Sequence, residues 1–135
     1  LHQGFLNMFD HAENAFVSAY RKEEADENGN VQLAIVSEYL AAPSMENKTL
    51  ILVDPMLATG MSMEIAYKAL LTHGQPSFTH LVCAFATPQA IEHLQTTMPE
   101  DCTLWCAVID PILNPHKYIV PGLGDAGDLC FGGKL

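Results

Sequence analysis

The stretch that decides the fold is Leu50–Ser62, LILVDPMLATGMS. Leu50 to Val53 is a continuous apolar run bounded by polar residues, the pattern of a strand buried on both faces. The run ends in Asp54, and Ala58, Thr59, Gly60 and Ser62 then follow with almost no charge. A different period takes over at once. From Ser62 to His73, Met63, Ala66, Tyr67, Leu70 and Leu71 recur at helical spacing, and Gly74 is placed as a C-terminal stop. A buried strand, a loop of small residues and a helix therefore succeed one another within about twenty-five residues.

The pattern repeats downstream. His80 to Ala86 reads as a second buried strand, and Thr87 and Pro88 suit the N-cap and first position of a helix over Gln89 to Met98. Thr103 to Ile109 reads as a third strand. Alternating strands and helices imply a parallel sheet with right-handed crossovers, flanked by helices: an α/β fold. Upstream, residues 4 to 11 read as part of a helix with Phe5, Met8 and Phe9 on one face. Ala15 to Tyr20 is β-prone, Asn28-Gly29-Asn30 signals a turn, and Val31 to Leu40 resumes with β-branched residues. Residues 17–40 thus read as a hairpin or arm, closed by Ala42-Pro43-Ser44. At the other end, Tyr118–Gly133 (YIVPGLGDAGDLCFGG) carries five glycines in sixteen residues, too many for a strand or helix. Ile119, Val120, Leu123 and Phe131 are apolar enough to make it an ordered loop rather than a loose tail.

At 135 residues, with 49% hydrophobic and 16% charged, the chain reads as one globular domain. Sixteen acids against six Lys and Arg give a formal charge of −10, which disfavours nucleic acid as a partner. Glu23 to Glu27 reads as a solvated loop or hairpin flank. No apolar run approaches the ~20 residues of a membrane span, and the N-terminus lacks the pattern of a signal peptide. Both absences predict a cytoplasmic protein. The four cysteines have no CxxC spacing and the six histidines no HxxxH or HExxH, so a metal cage of side chains alone is not expected.

Ligands of open parallel sheets bind at the carboxyl ends of strands, where Asp54 and the loop stand. Small residues let backbone N–H groups approach an anion, the hydroxyls of Thr59 and Ser62 add donors, and the helix dipole favours negative charge there. The physics describes a phosphate cradle with Asp54 placed to accept hydrogen bonds from sugar hydroxyls. The plain alternative is a strand-to-helix turn capped by Ser62. Neither GxxxxGK[ST] nor GxGxxG is present in the loop.

VDPMLATG and Ser62 resemble the 5-phosphoribosyl 1-diphosphate (PRPP) motif of type I phosphoribosyltransferases, in the form with Pro55 after the acid that is seen in uracil phosphoribosyltransferases. YIVPGLGDAGD resembles the uracil-binding segment of the same family, and IDPILNPHKYIVPG its approach. The resemblance implies that Asp54, Pro55, Met56, Leu57, Ala58, Thr59, Gly60, Met61 and Ser62 hold PRPP. It implies that Ile119, Gly124, Asp125 and Ala126 contact uracil, within a uracil-binding segment 118–135. SAYRKEE is similar to the segment whose arginine binds diphosphate, which makes Arg21 a PRPP ligand; a surface charge ending a strand is the alternative. Arg21 and Asp125 are the implied catalytic residues, with Asp125 also reaching PRPP and standing near the uracil N1 proton. Mg²⁺ bound mainly through PRPP and a GTP effector are further implications, and the apolar arm around Val31 to Leu40 points to a homodimer or higher oligomer.

Met61 stands where the family has glycine, which predicts a blocked backbone approach or a different turn; Leu129 replaces an arginine and Gly133 a threonine. The family's N-terminal part, with its PILRAG-like segment, is not in the sequence, so residues 1–135 read as a single catalytic domain incomplete at its N-terminus. The implied activity is pyrimidine salvage: uracil and PRPP give UMP and diphosphate. The alternatives are a nucleotide-sensing binding module of the same fold, or an inactive fragment.

Overall fold

The computed structural model describes residues 1–25 and 31–132, with side chains from 19 to 38 outside the description. Its centre is a parallel sheet of β3 (Thr49–Val53), β4 (Met56–Leu57), β5 (Phe78–Ala86) and β6 (Cys102–Ile109). β5 is the hub: it pairs with β3 and then β4 along one edge and with β6 along the other. The register brings Leu57, Ala86 and Ile109 level at the carboxyl end of the sheet.

Helices α2 (Met61–Leu70) and α3 (Pro88–Thr97) supply the crossovers. Leu81 and Cys83 of β5 meet Leu57, Met63, Ala90 and Leu94 in the main core, with Leu52, Leu104 and Cys106 packed around them. Burying a side chain such as Leu81 or Met63 contributes about 1.5–3 kcal/mol. The other face is different. Phe78, His80, Val82 and Ala84 alternate with the buried positions of β5 and stay half-buried, as do Ile51 and Val53 of β3. The expected burial of these strands on both faces is therefore corrected. The core helices cover one face, and among the described residues β3 has a neighbour on only one side. On the open face Trp105, 56% exposed, donates its indole N–H to His80 Nδ1 at 3.2 Å.

Thr87 caps α3 as the sequence predicts, accepting from the Ala90 amide at 3.1 Å, with Pro88 next. α2 begins one residue earlier than read and runs into a 3₁₀ turn over Leu71–His73 before Gly74. Residues 17–40 do form a hairpin: β1 (Phe16–Ala25) pairs antiparallel with β2 (Val31–Ala41), with a register shift between Ser18 and Ala19, and it lies against α2. The Asn28-Gly29-Asn30 turn lies outside the described residues. α1 (His2–Met8) is shorter than residues 4–11 at its C-terminal end, and Phe5 stacks with Phe9 at 6.3 Å.

The glycine segment holds more regular structure than its composition suggested. β7 (Ile112–Leu113) pairs with β8 (Ile119–Val120), and α4 (Ala126–Phe131) follows. Gly122, Gly124 and Gly132 occupy left-handed positions at the turns, so only Gly127 falls inside the helix.

Candidate functional site

After Val53 the chain steps sideways and resumes pairing. The Asp54 amide donates to Val82 O at 3.0 Å, and Pro55 O accepts from the Ala84 and Phe85 amides. Met56 and Leu57 then form β4, so two strand residues stand between the Asp54-Pro55 step and the loop that begins at Ala58. Leu57 is 2% exposed and points into the core, where its side chain serves packing. Asp54 bends back on the step: its Oδ1 accepts from the Met56 amide at 2.9 Å. Burial pushes the Asp54 carboxyl above its usual range, and the Met56 bond opposes that shift.

Gly60 is the N-cap of α2, at φ +80. A Cβ there would stand 3.0 Å from His93 Cδ2 and 3.1 Å from Ala90 O, so α3 packs directly on the loop and leaves room only for glycine. Met61 is the first helical residue and is not among the positive-φ positions. The left-handed turn is made by Gly60, so the methionine demands no different turn. Ser62 lies within the first helical turn and makes no cap bond, which removes the Ser62-capped alternative. Glu64 is the first residue of α2 to bond back, donating to Gly60 O at 3.1 Å. The amides of Met61, Ser62 and Met63 precede that bond and have no intrahelical partner.

The second half of the site hangs from β6. Asp110, 6% exposed, donates its amide to Ala86 O at 2.9 Å and accepts from the Gly122 amide at 2.9 Å through Oδ2. Gly122 needs φ +38, and a Cβ would sit 2.3 Å from Ile119 O. Ile119 itself is buried. Asp125 caps α4, its Oδ1 accepting from the Gly127 amide at 2.8 Å and the Asp128 amide at 3.1 Å. Gly124 and Ala126 flank it, half-buried. Asp128 Oδ1 is buried and has no partner among the described residues, next to Leu129.

The two halves meet at the end of β5, where Thr87 holds the first and the Ala86 carbonyl holds Asp110 of the second. Thr87 Oγ1 donates to Ala58 O at 2.8 Å while its backbone N–H donates to Leu57 O at 3.2 Å. Ala58, Thr87 and Asp110 thus sit side by side past the ends of three adjacent strands, and Asp110 carries the glycine segment. Arg21 has its backbone on β1 opposite Ile35, and its side chain falls among those not described.

Sequence reasoning gave Thr87 a capping role only and gave Asp110, Glu64 and His93 none. For Asp110 a signal was present: Ile109-Asp110-Pro111 repeats the aliphatic-Asp-Pro step of Val53-Asp54-Pro55.

A family model described as uracil phosphoribosyltransferase matches residues 1–133. The chain belongs to the uracil phosphoribosyltransferase family. It is 54% identical over 134 residues to the uracil phosphoribosyltransferase of Porphyromonas gingivalis, covering 99% of this chain and 60% of that protein. The uracil phosphoribosyltransferase of Pyrobaculum islandicum is 39% identical over 130 residues, covering 96% of this chain and 59% of the relative. The structure of the AQ2163 protein from Aquifex aeolicus superposes with a TM-score of 0.81 at 29% identity, over 98% of this chain and 59% of that one. The chain thus spans about three fifths of the length of the relatives it matches. The parallel sheet, its flanking helices and the hairpin are the part of the uracil phosphoribosyltransferase fold that this chain carries.

Proposed function

We propose that this chain carries the PRPP loop and the uracil-reading segment of a pyrimidine-salvage enzyme that makes UMP and diphosphate from uracil and PRPP. The observation that supports it most is the junction at Thr87 and Asp110, which ties two motifs sixty residues apart to one end of the sheet. In this reading the amides of Met61 to Met63 and the hydroxyls of Thr59 and Ser62 hold the 5-phosphate, and Asp54 accepts from the ribose hydroxyls. The backbone from Ile119 to Ala126 reads the donor and acceptor edge of uracil.

In the reaction, uracil N1 forms a bond to C1′ as the C1′–O bond to diphosphate breaks, and the N1 proton leaves. Little covalent chemistry is asked of the protein, whose work is positioning and charge neutralisation. Arg21 is assigned to the leaving diphosphate. Asp125 holds two backbone amides through Oδ1, which suits a residue shaping the segment beside N1. Mg²⁺ is proposed to arrive on PRPP, on the family resemblance alone. When bound it would neutralise diphosphate charge, with Asp54 the nearest acid of the loop segment in sequence.

A homodimer is proposed on the exposed Phe16–Tyr39 ring pair of the hairpin, and GTP as effector on family resemblance alone. No described helix is long and apolar enough to cross a membrane, and four free thiols suit a reducing cytoplasm. The test mixes the chain with Mg²⁺, PRPP and each base and measures diphosphate release. Release with uracil alone supports the proposal. PRPP binding without release makes the chain a binding module, and neither makes it an inert fragment.

A further inference from the structure

The phosphate loop is held from behind by a residue that belongs to neither motif. His93, on α3, touches the loop in two ways. Its ring edge lies 3.0 Å from where a Gly60 Cβ would be, and its Nε2 lies 2.7 Å from Glu64 Oε2. Glu64 is the residue whose amide closes the first turn of α2 onto Gly60 O. The imidazole therefore contacts the turn at both its ends, Gly60 by packing and Glu64 by a hydrogen bond. Lys68, one turn along α2, holds the other carboxylate oxygen. Glu64 is 15% exposed at its side chain and His93 31%, so the contact is shielded from water more than a surface pair is.

A carboxylate in the first turn of a phosphate-binding helix needs an explanation, because its charge opposes the anion the turn is to hold. Here both of its oxygens are engaged, one by Lys68 and one by His93. The Lys68 ammonium foremost, and His93 after it, hold the Glu64 carboxyl below its usual range against the burial that raises it. Turned into this clasp, Glu64 becomes an anchor between the two helices on which the loop depends.

We propose that His93 is a positioning residue for the phosphate loop: through Gly60 and Glu64 it fixes the turn whose amides face the anion before any ligand arrives. This rests on the PRPP reading of the loop for its functional consequence, though not for the brace itself. Preorganisation of this kind lowers the ordering cost of binding, so its loss weakens the ligand without changing which ligand binds.

The test compares the wild-type chain with His93→Ala and His93→Gln, the latter keeping an amide N–H for Glu64. Hydrogen exchange at the Glu64 amide is read without ligand, normalised to β5 amides, and PRPP affinity with Mg²⁺ is read by calorimetry. His93→Ala is expected to speed Glu64 exchange and weaken PRPP about 3–10-fold, the worth of one hydrogen bond, while His93→Gln stays within about twofold of wild type. Glu64 exchange unchanged in His93→Ala would overturn the proposal, as would a His93→Gln variant as impaired as the alanine. If wild type binds no PRPP but His93→Ala still frees the Glu64 amide, the brace stands and the PRPP reading falls.

Discussion

Replacing Thr87 by valine keeps the shape of the side chain and removes only its hydroxyl, which makes two bonds in a site 1% exposed. As acceptor it caps α3 at the Ala90 amide, and a lost cap costs about 1 kcal/mol. As donor it satisfies Ala58 O, and a buried carbonyl deprived of its partner costs about 1–3 kcal/mol. The expected loss is about 2–4 kcal/mol of unfolding free energy. For a domain of 135 residues that is a fall in Tm of about 6–16 °C, at about 3–4 °C per kcal/mol. Urea titration followed by circular dichroism measures it, with Thr87→Ser as the companion. Serine keeps both bonds and loses one methyl, so it should cost no more than about 1 kcal/mol. A Thr87→Val loss below about 1 kcal/mol, or a serine variant as damaged as the valine, would refute the two-bond account.

Asp54→Asn should stabilise the chain at neutral pH while removing PRPP affinity. Burial raises the folded pKa of Asp54, so its ionised form opposes folding; that penalty is absent below the unfolded value of 3.8 and complete once pH exceeds the folded value. Urea midpoints of the two proteins should therefore diverge as pH rises, with PRPP binding down at least about tenfold. Gly60→Ala forces a Cβ into φ +80 and against α3, and should cost about 1–3 kcal/mol by the same titration. Alkylation at pH 8 should modify exposed Cys130 first and Cys83 only after unfolding, because burial pushes the Cys83 thiol up to about 12; peptide mass mapping reads the order.

Much of the frame was readable because its signals are local. Leu50–Val53 and Thr87-Pro88 state strand and cap through side-chain chemistry that acts within a few residues. The placement of Asp54 at a strand end followed from the same grammar. What escaped depends on contacts distant in sequence. Nothing in Asp110 or Gly122 alone says that they meet, since their bond spans twelve residues and a two-stranded ribbon. His93 has an ordinary helical position, and its contact with Glu64 exists only because α3 packs on Gly60. Composition misled at the C-terminus, where counting glycines concealed that they cluster at turns and leave a helix between them. The burial of β3 was overestimated for a related reason: an aliphatic run records what a strand is built to meet, not how many neighbours are present.

Trp105 is the chain's sole tryptophan, and the fold puts it outside the core, on the open sheet face beside His80. Its emission is therefore an optical gauge of one surface alone. Solvent on that face reddens the signal. Any segment or subunit laid over the sheet would shift the spectrum to the blue, so its arrival can be followed without a label.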